Sequence, residues 1–138
     1  MQRSEFIRKS ILGFIGLMAL GPEKSIAKPV AERIYSLGEI PVAGFQYYKG
    51  ERISHLLKEG TNIQLKREPE NKYDSNAIAL YCNDVKIGFV PRDDNYTMAL
   101  LLDQNAPLSA QITNVDLQAG PWERVWVEVV MGEKEIKE

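Results

Sequence analysis

A chain of 138 residues with 44% hydrophobic content holds one compact core of about 100 residues plus a terminal appendage. Its single cysteine, Cys82, and single histidine, His55, exclude an internal disulfide and a zinc site built on those residue types, and neither has a triad partner close in sequence. A formal net charge of −2 argues against a protein that coats nucleic acid, because non-specific affinity comes from phosphates neutralised by Lys and Arg.

The chain opens with Arg3, Arg8 and Lys9, then the apolar run Ile11 to Leu20, then Ser25-Ile26-Ala27 after the Gly21-Pro22 break. A basic start, an apolar stretch too short to span a bilayer and a small-residue site in that order predict a signal or anchor over residues 1–27, and a periplasmic or membrane-anchored protein. Arg3-Ser4-Glu5-Phe6-Ile7-Arg8 is similar to a twin-arginine motif with serine in place of the second arginine, so the general secretory route and a retained anchor both stay open. Residues 28–138 alone carry 13 basic and 17 acidic side chains, a net of −4.

After a linker over 28–36, a β domain is expected over 37–131, with a flexible tail over 132–138. Glu39 to Phe45 begins the sheet, and Tyr47 and Tyr48, read as a continuation of this extended stretch, would point to opposite faces. Ile53 to Lys58 predicts a short helix stopped by Gly60. Strands follow at Asn62 to Lys66, Ala77 to Cys82 and Val85 to Val90, with Asn83-Asp84 as a two-residue hairpin turn and Gly88 as a bulge or close backbone approach. Cys82 on such a strand reads as a small buried thiol. Asp93-Asp94-Asn95 reads as the cap of a helix over Tyr96 to Leu102, with the two aspartates as caps rather than metal ligands. Leu108 to Val115 and Trp122 to Val130 complete the sheet, Val125, Val127 and Val129 facing one way and Trp126, Glu128 and Val130 the other.

The loop Lys66 to Ile78 carries the densest chemistry. Pro69 removes a ladder donor and ends the strand, and Asn71, Asp74 and Asn76 are able to fold back on nearby backbone amides. A loop braced in this way holds the Tyr73 phenol and the Asp74 carboxylate on a fixed platform. An ionised carboxylate accepts a hydrogen bond from a terminal hydroxyl and repels a phosphate in the same place. Tyr73 is suited to stacking or hydrogen bonding, Lys72 and Arg67 to offsetting a phosphate, and Trp122 to a second stacking wall, although a core or loop-anchor role is the leading reading of Trp122.

The run Arg67-Glu68-Pro69-x-Asn71-x-Tyr73-Asp74-x-Asn76-Ala77-Ile78, with Gly44-Phe45-Gln46-Tyr47-Tyr48-Lys49-Gly50 before it and Ile87-Gly88-Phe89-Val90-Pro91-Arg92 after it, resembles the HIRAN domain. That resemblance implies a mainly β fold, a small OB-like or SH3-like barrel of about six strands with one or two short helices. It also implies a non-enzymatic module that captures the 3′-hydroxyl end of single-stranded DNA without a cofactor. Tyr47, Tyr48, Tyr73 and Asp74 match the family residues that line the pocket. Gln46 replaces a basic residue that often precedes the tyrosine pair, which removes a charge while keeping a hydrogen bond, and Phe89 stands where relatives can be polar. Relatives are often fused to a helicase ATPase and zinc domains; this sequence carries neither a Gly-x-x-x-x-Gly-Lys-Ser/Thr loop nor a zinc ligand cluster. The competing reading is an exported module whose groove binds an envelope ligand other than nucleic acid, with membrane contact only through residues 1–27.

Overall fold

The computed structural model describes residues 33–132. The expected signal over 1–27, most of the linker after it and residues 133–138 of the tail lie outside the described residues.

Six strands form one antiparallel sheet: β1 (Tyr35–Pro41), β2 (Asn62–Arg67), β3 (Ile78–Cys82), β4 (Val85–Phe89), β5 (Leu108–Val115) and β6 (Val125–Met131), with one α-helix, α1 (Asn95–Asp103), between β4 and β5. The order across the sheet is β1-β6-β5-β2-β3-β4. Its two edges meet only where Ala43, just beyond β1, exchanges hydrogen bonds with Phe89 of β4 at 2.8 and 2.9 Å. The result is a loosely closed, OB-like sheet, mainly β as the sequence implied.

Alternation builds the core. Val125, Val127 and Val129 are buried, whereas Trp126, Glu128 and Val130 are half-buried, so β6 is polar and apolar in the period of a strand with one covered face. Strand β3 reads differently, as a near-continuous apolar run, and Ile78, Ala79, Leu80 and Cys82 are all buried. Burial pushes the Cys82 thiol pKa up, in keeping with an inert core residue. Met98 and Ala99 of α1 are buried too. The Asn83-Asp84 turn has φ of 49° and 66°, the left-handed pair that a two-residue hairpin requires.

Gly88 shows the close approach that its place in a strand suggested. With φ at +152°, a Cβ on Gly88 would lie 2.4 Å from the Ala43 carbonyl oxygen and 2.5 Å from Val42 Cγ1. Only glycine leaves room for the chain after β1 to cross β4, and the β3/β4 register shifts between Leu80 and Tyr81, beside this crossing.

Four expectations need correction. Tyr47 and Tyr48 are not on a strand: Gly44, at φ +75°, turns the chain into a 3-10 helix over Phe45–Tyr47 that ends at Tyr48. The helix foreseen at Ile53 to Lys58 is a kinked 3-10 segment, Gly50–Leu56. Trp122 precedes β6 rather than belonging to it, because Glu123 N–H bonds back to the Gly120 carbonyl and keeps the chain in a turn. Finally, β1 begins at Tyr35, inside the stretch read as linker.

Candidate nucleic-acid interface

The Glu68–Asn76 loop is fastened by its own polar groups. Where β2 ends, the Glu68 N–H donates to the Ala77 carbonyl and the Asn71 N–H to the Glu68 carbonyl, at 2.9 and 3.0 Å. The Asn71 Oδ1 then accepts from the N–H groups of Tyr73 (2.9 Å) and Asp74 (3.2 Å), and Asp74 Oδ1 accepts from the Asn76 N–H at 2.9 Å. For Asn71 and Asp74 these are the expected fold-back bonds, whereas the Asn76 side chain makes none among the described residues. Arg67 closes the loop from below. Its guanidinium donates to the carbonyls of Ala77 and Ser75 at 2.8 and 3.0 Å and to both carboxylate oxygens of Asp103 at 2.9 and 3.2 Å. Arg67 was a candidate phosphate contact; the structure has it tying the loop to the C-terminal end of α1.

This frame projects Tyr73 into solvent, 84% exposed, and holds Asp74 beside it with a half-buried side chain. The other oxygen of Asp74, Oδ2, accepts a 2.7 Å bond from Asn95 Nδ2 and lies 3.8 Å from Arg92 Nε. Desolvation pushes the Asp74 pKa up. The bonds from the Asn76 N–H and Asn95, with the charges of Arg92 and Arg67, more than offset that, so the carboxyl titrates below its ordinary range. Arg92 also donates to the Tyr73 carbonyl at 2.7 Å while most of its side chain stays in solvent. Lys72 is exposed.

The aromatic part of the site is joined to this loop through a partly solvated ion pair. Tyr48 meets Phe89 edge to face, with centroids 5.7 Å apart. Lys86 Nζ lies 4.3 Å from the Phe89 centroid and 5.1 Å from that of Tyr48. It also pairs with Glu68 Oε2 at 2.7 Å, and Glu68 Oε1 accepts from Asn71 Nδ2 at 3.1 Å. Desolvation raises the Glu68 pKa, but the bonds from Lys86 and Asn71 and the charges of Lys86 and Lys66 bring it below the ordinary value. A continuous chain of contacts therefore runs from Tyr48 and Phe89 through Lys86, Glu68 and Asn71 to Tyr73 and Asp74. Tyr47, one residue away, is 78% exposed, and Gln46 has a buried Oε1 with no hydrogen-bond partner among the described residues.

Trp122 belongs to another neighbourhood. It is 65% exposed on a turn closed by the bonds Asp116 N–H to Arg124 O and Arg124 Nε to Ala119 O, and Arg124 reaches Glu51 at 3.0 Å. These bonds fasten its loop to the segment after Tyr48 rather than to the Glu68–Asn76 loop.

Sequence reading missed Asn95 as a partner of Asp74, and counted Lys86, Glu68 and Arg92 only as surrounding charge. Asn95 was visible as a polar residue heading an apolar helix, but as a cap; Asp94 is the cap residue, and it makes no side-chain capping bond. Among the described residues no group of three or more His, Cys, Asp or Glu is placed to hold a metal ion. What the arrangement offers is one fixed acceptor, exposed phenols, a cation–aromatic edge and the exposed cations Lys49, Lys66, Lys72 and Arg92.

The HIRAN domain profile matches residues 35–131. Among solved structures, a protein from Lactobacillus plantarum superposes with a TM-score of 0.64 at 27% identity, over 75% of this chain and 100% of that one. The crystal structure of the HIRAN domain of human HLTF superposes with a TM-score of 0.55 at 22% identity, over 74% of this chain and 81% of that one. No curated protein matches the sequence.

Proposed function

The chain belongs to the HIRAN domain family, and from that premise we propose that it is a binding module for single-stranded DNA that captures the 3′-hydroxyl end. The observation that carries this reading is the fixed Asp74 carboxylate beside the exposed Tyr73 ring. A carboxylate kept ionised accepts from a hydroxyl and repels a phosphate, so the end chemistry of a strand decides whether it is held. Tyr73, with Tyr47 or Tyr48, supplies a stacking face for the terminal bases, each worth about 1–3 kcal/mol and indifferent to sequence.

Phosphate contacts are few in this reading. Arg67 is engaged inside the fold, Gln46 is neutral, and the exposed cations on the two segments and beside them are Lys49, Lys66, Lys72 and Arg92. Single-strand affinity should therefore fall with salt with a logarithmic slope of about −0.7 per phosphate, over no more than about four phosphates. Binding of a linear single-stranded oligonucleotide, compared with a closed circle of the same sequence, tests the proposal: end capture requires the linear strand to bind and the circle to compete poorly. Equal competition by the circle would mean that the domain reads strand rather than end.

A further inference from the structure

Asn95 is 1% exposed and is the one buried polar side chain among the described residues. It sits at the start of α1, yet its amide serves a loop 21 positions away, donating through Nδ2 to Asp74 Oδ2 at 2.7 Å. A residue present only to cap its helix would bond to that helix's own first amides. Burying a carboxamide without partners is unfavourable, so this one is placed where Asp74 satisfies it. With Asp74 Oδ1 on the Asn76 N–H and Oδ2 on Asn95, each oxygen has a fixed donor, and the carboxylate cannot rotate without losing a bond. Arg92, 3.8 Å from Oδ2, and Arg67, engaged beneath the loop, are the charged groups that face it.

We propose that Asn95 is a positioning residue for end recognition, its buried amide setting the orientation of Asp74 so that the remaining lone pairs meet a terminal hydroxyl. This rests on the end-capture reading above. Without the Asn95 donor Oδ2 is no longer held, and the carboxylate gains rotational freedom that takes its lone pairs away from the terminal hydroxyl.

Two variants and one wild-type measurement test it. Asn95→Asp keeps the shape and replaces the donor by a second acid; Asn95→Ala removes the donor. The readout is the ratio of affinities for a strand ending in a 3′-hydroxyl and one ending in a 3′-deoxy sugar, which does not titrate. Wild-type protein should prefer the hydroxyl by about tenfold or more, the scale of a charged hydrogen bond. Both variants should drop below about threefold, near Asp74→Ala, while stacking-dependent binding to the deoxy strand persists. In carbonyl-detected NMR the Asp74 carboxyl should titrate at higher pH in Asn95→Ala than in wild type. If neither variant yields folded protein, the wild-type spectrum still decides: the Asn95 side-chain amide protons should follow the titration of Asp74. Amide signals flat through that titration, or folded variants with an unchanged ratio, overturn the inference. A wild type without preference between the two ends, with the amide still coupled to Asp74, overturns the end-capture reading and this role in it, and leaves Asn95 a structural partner of the loop.

Discussion

Two short segments carry the candidate site, and they are held by opposite means. The Gly44–Gly50 turn, bearing Tyr47 and Tyr48, is fixed by packing: Phe45 is fully buried, and a Cβ on Gly50 would lie 2.3 Å from its ring. The Glu68–Asn76 loop, bearing Tyr73 and Asp74, buries none of its side chains and is fixed by hydrogen bonds and ion pairs. Packing resists pH and salt but fails when volume changes; polar bracing tolerates changes of volume but depends on donors and charge. The two halves of one site should therefore break under different perturbations.

The largest effect is expected in the packed turn. Phe45→Ala should lower the unfolding free energy by about 3–5 kcal/mol, as for other buried aromatics, and urea denaturation measures it. Arg67→Ala comes next. It removes the donor of the Ser75 carbonyl and of the Asp103 carboxylate and one of the two donors of the Ala77 carbonyl, costing about 1–3 kcal/mol in the same assay. Strand binding should weaken with it, although Arg67 is read here as a brace and not a contact. Arg67→Lys should restore little, because an ammonium cannot reproduce the forked bonds. Lys72→Ala, by contrast, should leave unfolding unchanged, weaken binding modestly at low salt and reduce its salt dependence.

Acid should open the polar loop before the packed turn. The folded-state pKa values of Asp74 and Glu68 lie below the ordinary 3.8 and 4.5. Their contribution to stability is therefore complete above those ordinary values and is lost as the pH falls below them and through the folded-state values. The segment from Gly44 to Gly50 contains no carboxyl group. On acidification, amide exchange at Tyr73, Asp74 and Asn76 should accelerate ahead of that at Tyr47 and Tyr48; simultaneous loss of protection would show that the segments do not open separately. A small effect is expected where the segments meet. The Lys86–Glu68 pair is partly solvated, so Lys86→Met should change stability by no more than about 1 kcal/mol, while the Tyr48 ring resonances shift as the cation leaves its face.

The contrast also explains what could be seen in the sequence. The polar loop was legible because its bonds are local: Asn71 and Asp74 fold onto amides two or three residues on, and Pro69 marks the strand end. Gly88 was legible as a glycine inside a strand pattern. The packed turn was misread because Val42-Ala43-Gly44-Phe45 looks extended until Gly44 takes a positive φ, and that choice is imposed by the crossing over β4. Asn95, Lys86 and the redirected Arg67 were hidden for a related reason. Their partners lie 8 to 36 positions away, so only the folded chain brings them together.

End reading by the Asp74 carboxylate is tested by fluorescence anisotropy with 3′-hydroxyl and 3′-phosphate oligonucleotides, on wild type and Asp74→Ala. The phosphate should weaken wild-type binding strongly and Asp74→Ala binding far less, and the alanine variant should lose about 1.5–3 kcal/mol toward the hydroxyl strand. Equal binding of the two strands by the wild-type protein, or an undiminished phosphate effect in Asp74→Ala, would contradict it.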